Sequence, residues 1–404
     1  MLKLTSIIIL SVLLSGKLIA GGFQLNEHGA RAMGLGGAFT AVADDPSAIY
    51  FNGAGLTQLN GWNFMIGSSF IAPNSEFRGI APDITSYKTT PQTFVVPNGY
   101  AAYSASNWAV GLGFNVPFGL GTEWPADWPG RYLALKTDLR AYNISVEGAY
   151  KIIDNLSVSA GLVFSFVNVT ITEKTPQTPF PDDAFISLEG KDKSAFGYNF
   201  GILYKPLSTL SFGASFHSKI KYNIQGTATS TGTSQLVSEL PAGDITADLT
   251  TPLNLTFGAA YDVLPELKIS ADYQYVGWSS YDYLNIKFSN KTISNPRLYD
   301  NSYIIRLGAE YKWNNSLSFQ GGIYFDKNPV KPEYLNPELP DANRICFSLG
   351  ANYKVTSNLT AALSYLFIRS SELTVTNSTQ GNPPFNGTYN SFANIGSISL
   401  SYSL

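Results

Sequence analysis

Residues 142–166 read YNISVEGAYKIIDNLSVSAGLVFSF. Tyr142, Ile144, Val146, Gly148 and Tyr150 alternate with Asn143, Ser145, Glu147, Ala149 and Lys151. After a turn at Asp154-Asn155, Leu156, Val158, Ala160, Leu162, Phe164 and Phe166 alternate with Ser157, Ser159, Gly161 and Ser165. A period of two marks strands with one apolar and one polar face. The same pattern runs outward through Phe196, Phe200 and Tyr204, then through Leu210, Phe212 and Phe216. It closes the chain with Ile398, Leu400, Tyr402 and Leu404 set against Ser397, Ser399, Ser401 and Ser403.

Strands are expected near 62–72, 92–104, 108–116, 138–152, 156–170, 185–205, 209–226, 244–261, 267–288, 302–312, 317–327, 343–354, 359–374 and 389–404. Long connections then alternate with short ones, such as 117–137 before 153–155. An even strand number with this asymmetry is the outer-membrane arrangement, with both barrel ends on the periplasmic side. Tyr150, Tyr204, Tyr261, Tyr311 and Tyr353 share the apolar parity and the periplasmic strand ends, where an interface girdle belongs.

Composition agrees. The 404 residues are 44% hydrophobic and 14% aromatic, with only 14% charged, well below the roughly 25% of soluble domains. No run of 18 apolar residues is present to make a membrane helix. A single cysteine (Cys346) and two distant histidines, His28 and His217, exclude a disulfide framework and any local metal motif, so no cofactor or metal is expected. The net charge of −3 carries no basic footprint for nucleic acid. The expected fold is all-β: a 14-stranded antiparallel transmembrane β-barrel over residues 61–404.

Lys3, the apolar run Leu4–Leu14 and Leu18-Ile19-Ala20 read as a secretory signal over residues 1–20, cut after Ala20. Residues 21–60 do not alternate. They are rich in small residues, and Asp45-Pro46 can open a short helix. Because a fourteen-strand lumen leaks unless filled, this segment is read as an N-terminal hatch inside the barrel.

Within it, Gly22-Phe-Gln-Leu-Asn-Glu27, Ala43-Asp-Asp-Pro-Ser-Ala48 and Asn52-Gly-Ala-Gly-Leu56 resemble the hatch of FadL-type outer-membrane transporters of long-chain fatty acids and other hydrophobic compounds. The resemblance continues through Pro117-Phe-Gly-Leu-Gly-Thr-Glu-Trp124, Trp128-Pro-Gly-Arg-Tyr132, Phe196–Tyr204, Pro340–Arg344 and Ser348–Tyr353. It implies capture of ligand in an apolar extracellular groove, passage to an internal site, and lateral release through the wall at a kinked strand. Gly111, Gly113 and Pro117 make the third strand the gate candidate, since glycine and proline mark bends in strands. Phe118, Leu120, Trp124, Trp128, Tyr132 and Leu133 are the capture candidates, read as an apolar cluster on a loop facing water. Asn52, Gly53 and Ala54 form the hatch motif, with Gly53 where the family usually carries proline, and Leu404 stands where an aromatic terminal residue is common.

Among inward-parity charges, Lys219, Lys221, Arg306 and Arg344 are candidates to bind a ligand carboxylate. Fatty acid and neutral aromatic or aliphatic hydrocarbon both remain open as substrates. The competing classes are a general diffusion porin, which the small-residue hatch argues against, and a surface adhesin or receptor, which would carry longer outer loops. The expected partners are a hydrophobic small molecule, outer-membrane lipid and lipopolysaccharide, and the barrel assembly machinery, with the chain acting as a monomer. Met33-Gly-Leu-Gly-Gly37 echoes a dinucleotide loop but lacks the βαβ context, and nothing indicates an enzyme.

Overall fold

The first and last strands of this chain pair along their whole length, from Asn63 opposite Ser403 to Arg78 opposite Thr388, and that pairing closes a barrel. The computed structural model describes residues 21–178, 180–233, 239–289 and 291–404; the expected secretory signal lies outside the described residues. The wall strands are β1 (Gly61–Arg78), β2 (Phe94–Ala105), β3 (Trp108–Glu123), β4 (Lys136–Ile153), β5 (Leu156–Pro176), β6 (Asp183–Leu207) and β7 (Leu210–His217). They continue with β8 (Asn254–Leu264), β9 (Leu267–Val276), β10 (Ser302–Lys312), β11 (Leu317–Asp326), β12 (Arg344–Lys354), β13 (Leu359–Ser370) and β14 (Gly387–Ser403). Every neighbouring pair is antiparallel. Turns as short as 106–107 and 154–155 alternate with connections such as 79–93 and 327–343.

Within the bilayer the apolar parity faces outward. Val110, Leu112, Ile144, Val146, Leu162 and Phe164 are exposed on the barrel's outer surface, whereas Ser145, Glu147, Ser157 and Ser159 are buried inside. Lipid is the apolar phase here, so the usual inside-out order of a soluble core reverses, while closure leaves no edge to desolvate. The five girdle tyrosines are all exposed on this outer face.

Above the bilayer the parity inverts. In β7, Phe212 is exposed, but from the break at Ser218–Ile220 onward the same parity, Ile220, Tyr222 and Ile224, is buried. There is no lipid at that height, so the apolar face turns in to pack against the other loops. The expected strand 209–226 is therefore two, β7 and Lys221–Thr231, the second adding to the upper end of β6. The expected strands 244–261 and 267–288 divide in the same way, into Gly243–Thr250 and β8, and into β9 and Tyr283–Lys287.

Residues 21–60 lie against inward-facing wall groups. Two short helices, α1 (Ala30–Gly34) and α2 (Ala48–Phe51), and a 3-10 turn at Gly53–Gln58 give them what regular structure they have. The Asp45 carboxylate accepts hydrogen bonds from the Ser47 amide and hydroxyl (2.9 and 2.5 Å), so the helix begins two residues later than Pro46 suggests. Arg31 bridges Glu310 of β10 (2.6 Å) and Asp44 (2.5 Å). Asp272 of β9 accepts from the Phe39 and Thr40 amides (3.1 and 3.0 Å). Ser399 accepts from the Ala30 amide, and Ser348 donates to the Gly34 carbonyl, each at 2.9 Å. Wall and segment thus satisfy one another's polar groups, as a buried irregular backbone requires.

Candidate functional site

The wall changes character in β3. Its pairing with β4 runs regularly to Asn115 opposite Asn143 and resumes at Phe118 opposite Ala141. Val116 and Pro117 therefore share the single position of Tyr142, a β-bulge, and proline's missing N–H suits it. One extra residue flips the parity of everything beyond. Phe118 and Leu120, which would otherwise point to lipid, turn inward.

On its other edge β3 loses β2. Their pairing ends at Phe114 opposite Gly99, leaving Phe94–Asn98 of β2 unpaired on that side. Hydrogen bonding resumes above, where the Thr90 amide donates to the Glu123 carbonyl (2.7 Å) and Gln92 donates to the Glu123 carboxylate (2.6 Å). The result is a window framed by backbone. The N-terminal segment uses the hydrogen-bonding groups that β2 does not reach: the Leu25 amide donates to the Pro117 carbonyl (2.8 Å), and the Gly119 amide donates to the Phe23 carbonyl (3.0 Å).

Two cavities meet at that segment. The outer one has about 1170 Å³ of empty volume and is largely apolar, lined among others by Phe94, Val95, Val96, Val116, Leu120 and Ile395. The inner one, about 770 Å³, is mixed, with Asn115, Asn143, His217, Asp272 and Arg306 facing apolar groups such as Ile49, Phe118 and Val163. Gln24 borders both, so Phe23–Leu25 form the partition.

Several expected site residues take other places. Gly111 and Gly113 are not at the break: both are paired on each side, Gly113 with Tyr100 and Ser145. What they provide is room. A Cβ at Gly113 would lie 2.7 Å from Ile49 of α2 and 3.0 Å from Tyr100; one at Gly111 would lie 2.7 Å from Ile49 and 3.0 Å from Leu56. Pro117 lies in the bulge itself. Gly113→Val should therefore leave the window intact but push α2 off the wall, costing about 1–3 kcal/mol. Faster protease nicking within residues 21–60 of the purified, folded barrel measures this, and wild-type resistance would contradict it.

The capture candidates also divide. Phe118 and Leu120 belong to β3 rather than to a loop and line the cavities. Trp124 and Trp128 do not face water: they are 3% and 0% exposed, stack at 4.2 Å, and donate to the Pro337 and Ala134 carbonyls. The loop folds back because two indoles gain more by packing together than by standing in solvent. Tyr132 and Leu133 are half-buried, with the Tyr132 hydroxyl on Asp183 (2.8 Å).

Asn52 donates to the Thr40 and Ile202 carbonyls, each at 2.9 Å, tying segment to wall. It also caps the 3-10 turn through the Ala54 amide at 3.3 Å. A side chain at Gly53 would overlap the buried Glu147 carboxylate, so the position has no room for a proline ring.

Of the basic candidates, Lys219 and Lys221 are exposed on the outside, because the parity inversion above the bilayer carries them there. Arg344 lines the outer cavity but is already used, pairing with Asp341 (2.8 Å) and donating to the Gly22 carbonyl (2.8 Å). Burial pushes the Asp341 carboxyl up, and the Arg344 guanidinium beside it pulls it down. Arg306 differs. It is 4% exposed, borders the inner cavity, and has no hydrogen-bond acceptor or ion-pair partner among the described residues. Its guanidinium carbon lies 5.9 Å from the Tyr324 ring centre. Among the described residues no group of three or more His, Cys, Asp or Glu side chains could hold a metal ion. Sequence reasoning missed the partition role of Phe23–Leu25, which no local periodicity signals.

A closed fourteen-strand barrel with a greasy exterior and an apolar chamber beneath its outer loops defines an outer-membrane transport protein. Residues 11–404 match the outer membrane protein transport family (OMPP1/FadL/TodX), and the chain belongs to it. It is 26% identical to outer membrane protein P1 of Haemophilus influenzae, over 89% of this chain and 88% of that one. Likewise, it is 27% identical to the long-chain fatty acid transport protein of Escherichia coli O6:H1, over 84% and 85%. Its fold is that of a Pseudomonas aeruginosa FadL homologue (TM-score 0.85, 19% identity, 95% of this chain and 99% of that one). The Pseudomonas putida toluene transporter TodX shares it too (TM-score 0.76, 17% identity, 94% and 99%). The chain is an outer-membrane transporter of a Gram-negative bacterium, not an enzyme.

Proposed function

We propose that this protein takes up hydrophobic compounds, long-chain fatty acids first among them, and releases them sideways into the outer membrane through the window beside β3. One observation carries the reading: the apolar chamber reaches the bulge at Val116–Pro117 where β2 and β3 are unpaired. A water-filled exit to the periplasm would offer a greasy ligand nothing, whereas lipid at the window receives it with no loss of apolar burial. Ligand enters from outside over Leu120 and Leu139, which border a third, smaller cavity beneath the loops. It then rests in the chamber against Phe23, and it leaves when the Phe23–Leu25 partition shifts. Residues 21–60 act as the hatch. The related transporters named for fatty acids and for toluene agree with this substrate class.

A neutral hydrocarbon is the second reading. It is favoured by the two arginines lining the chamber, since Arg140 is paired with Asp138 (2.8 Å) and Arg344 with Asp341, leaving no free cation there among the described residues. Val116→Lys tests the route common to both, because it puts a charge into the apolar chamber at the window. Cells producing this variant, folded and in the outer membrane, should lose uptake of labelled oleate and of toluene alike. Wild-type uptake of both would remove the window from the path.

A further inference from the structure

We propose that Asp326 is the docking site for the α-ammonium group of the processed chain, so that removal of residues 1–20 supplies the charge that fixes the partition beside the window. Asp326 ends β11 and is 3% exposed. Its Oδ1 is enclosed, and neither oxygen has a hydrogen-bond or ion-pair partner among the described residues. A buried carboxylate left unpaired is costly, and proteins normally answer it with a cation. Arg344, opposite Asp326 on the neighbouring strand, is engaged by Asp341 and by the Gly22 carbonyl, and Asp341 also accepts the Gly22 amide (2.8 Å). The guanidinium thus serves Asp341 and leaves Asp326 without a counter-charge among the described residues.

What lies against Asp326 is Gly21: a Cβ on that residue would overlap the carboxylate. Gly21 is the first residue after the expected cut. An α-ammonium generated there falls within reach of Asp326, balances the pair of acids, and explains why residue 21 carries no side chain. Gly21 and Gly22, so held, set the position of Phe23–Leu25 two residues on.

The inference rests on the cut after Ala20, so intact mass of the purified protein comes first; a mature chain beginning elsewhere overturns it. Acetylation of the α-amine by a small amine-reactive ester, followed by mass spectrometry, is then compared between wild type and Asp326→Asn. Wild-type Gly21 should react roughly tenfold or more slowly, the protection a charge-assisted hydrogen bond gives. A second variant with one extra glycine before Gly21 moves the ammonium about 3.8 Å, and should label as fast as Asp326→Asn. Equal labelling of wild type and both variants overturns the assignment. Amine reactivity is independent of transport, so that failure leaves the lateral route untouched, and failure of the lateral route leaves this site standing.

Discussion

Deleting residues 22–56 should turn a barrel that passes little steady current in planar bilayers into an open pore. The wall does not need the segment to close, since β1 and β14 pair directly along sixteen residue positions from Asn63 to Arg78. The wall groups the segment covers are ones that water wets readily, Asp272, Glu310, Ser348 and Ser399 among them, all buried. All four are presently bonded to the segment: Asp272 to the Phe39 and Thr40 amides, Glu310 to Arg31, Ser348 and Ser399 to the Gly34 carbonyl and Ala30 amide. With the segment gone those groups turn to water, and an opening through a fourteen-strand wall is wide enough for ions. The intact protein is the control. Large steady currents from it would sink the reading of residues 21–60 as a hatch, and an unchanged baseline after deletion would put the barrier in the extracellular loops instead.

The strands were legible because the bilayer imposes one rule on all of them. Wherever lipid bounds the wall, the apolar parity must face out, so Tyr142–Tyr150 and Leu156–Phe166 announce themselves. Two places break that rule, and both carry the candidate site. Above the bilayer the apolar face turns inward, so Lys219 and Lys221, inward by parity, stand outside, and the indoles of Trp124 and Trp128 are buried. At Val116–Pro117 a single extra residue reverses the phase, sending Phe118 and Leu120 into the cavities. Pro117 marked this place in the sequence, but the two glycines before it drew the same attention for a different physical reason, the close approach of Ile49. Alternation does not say where membrane ends, and a bulge of one residue has no compositional signature. The pairing of Phe23–Leu25 with β3 joins residues nearly a hundred positions apart, so no reading of a local window could find it.

Arg306→Gln should separate acidic from neutral ligands. The guanidinium is buried beside the inner cavity without an acceptor among the described residues, and the facing Asp272 spends one oxygen on two amides of the N-terminal segment. A carboxylate that reaches past Gln24 would meet a donor already desolvated and waiting, so a charge-assisted hydrogen bond there is worth roughly 1.5–3 kcal/mol. Glutamine keeps a donor but not the charge. The variant should bind a long-chain fatty acid roughly 10–150-fold more weakly and its methyl ester as well as wild type does. Lys219→Gln and Lys221→Gln should change neither ligand, because those ammonium groups face outward. Arg344→Gln should weaken both, since it releases the Gly22 carbonyl and with it the wall of the apolar chamber. Paired titrations of acid and ester against the four variants read all of this. If Arg306→Gln binds the acid at wild-type strength, the head group never reaches the inner cavity, and a neutral hydrocarbon becomes the better-supported substrate.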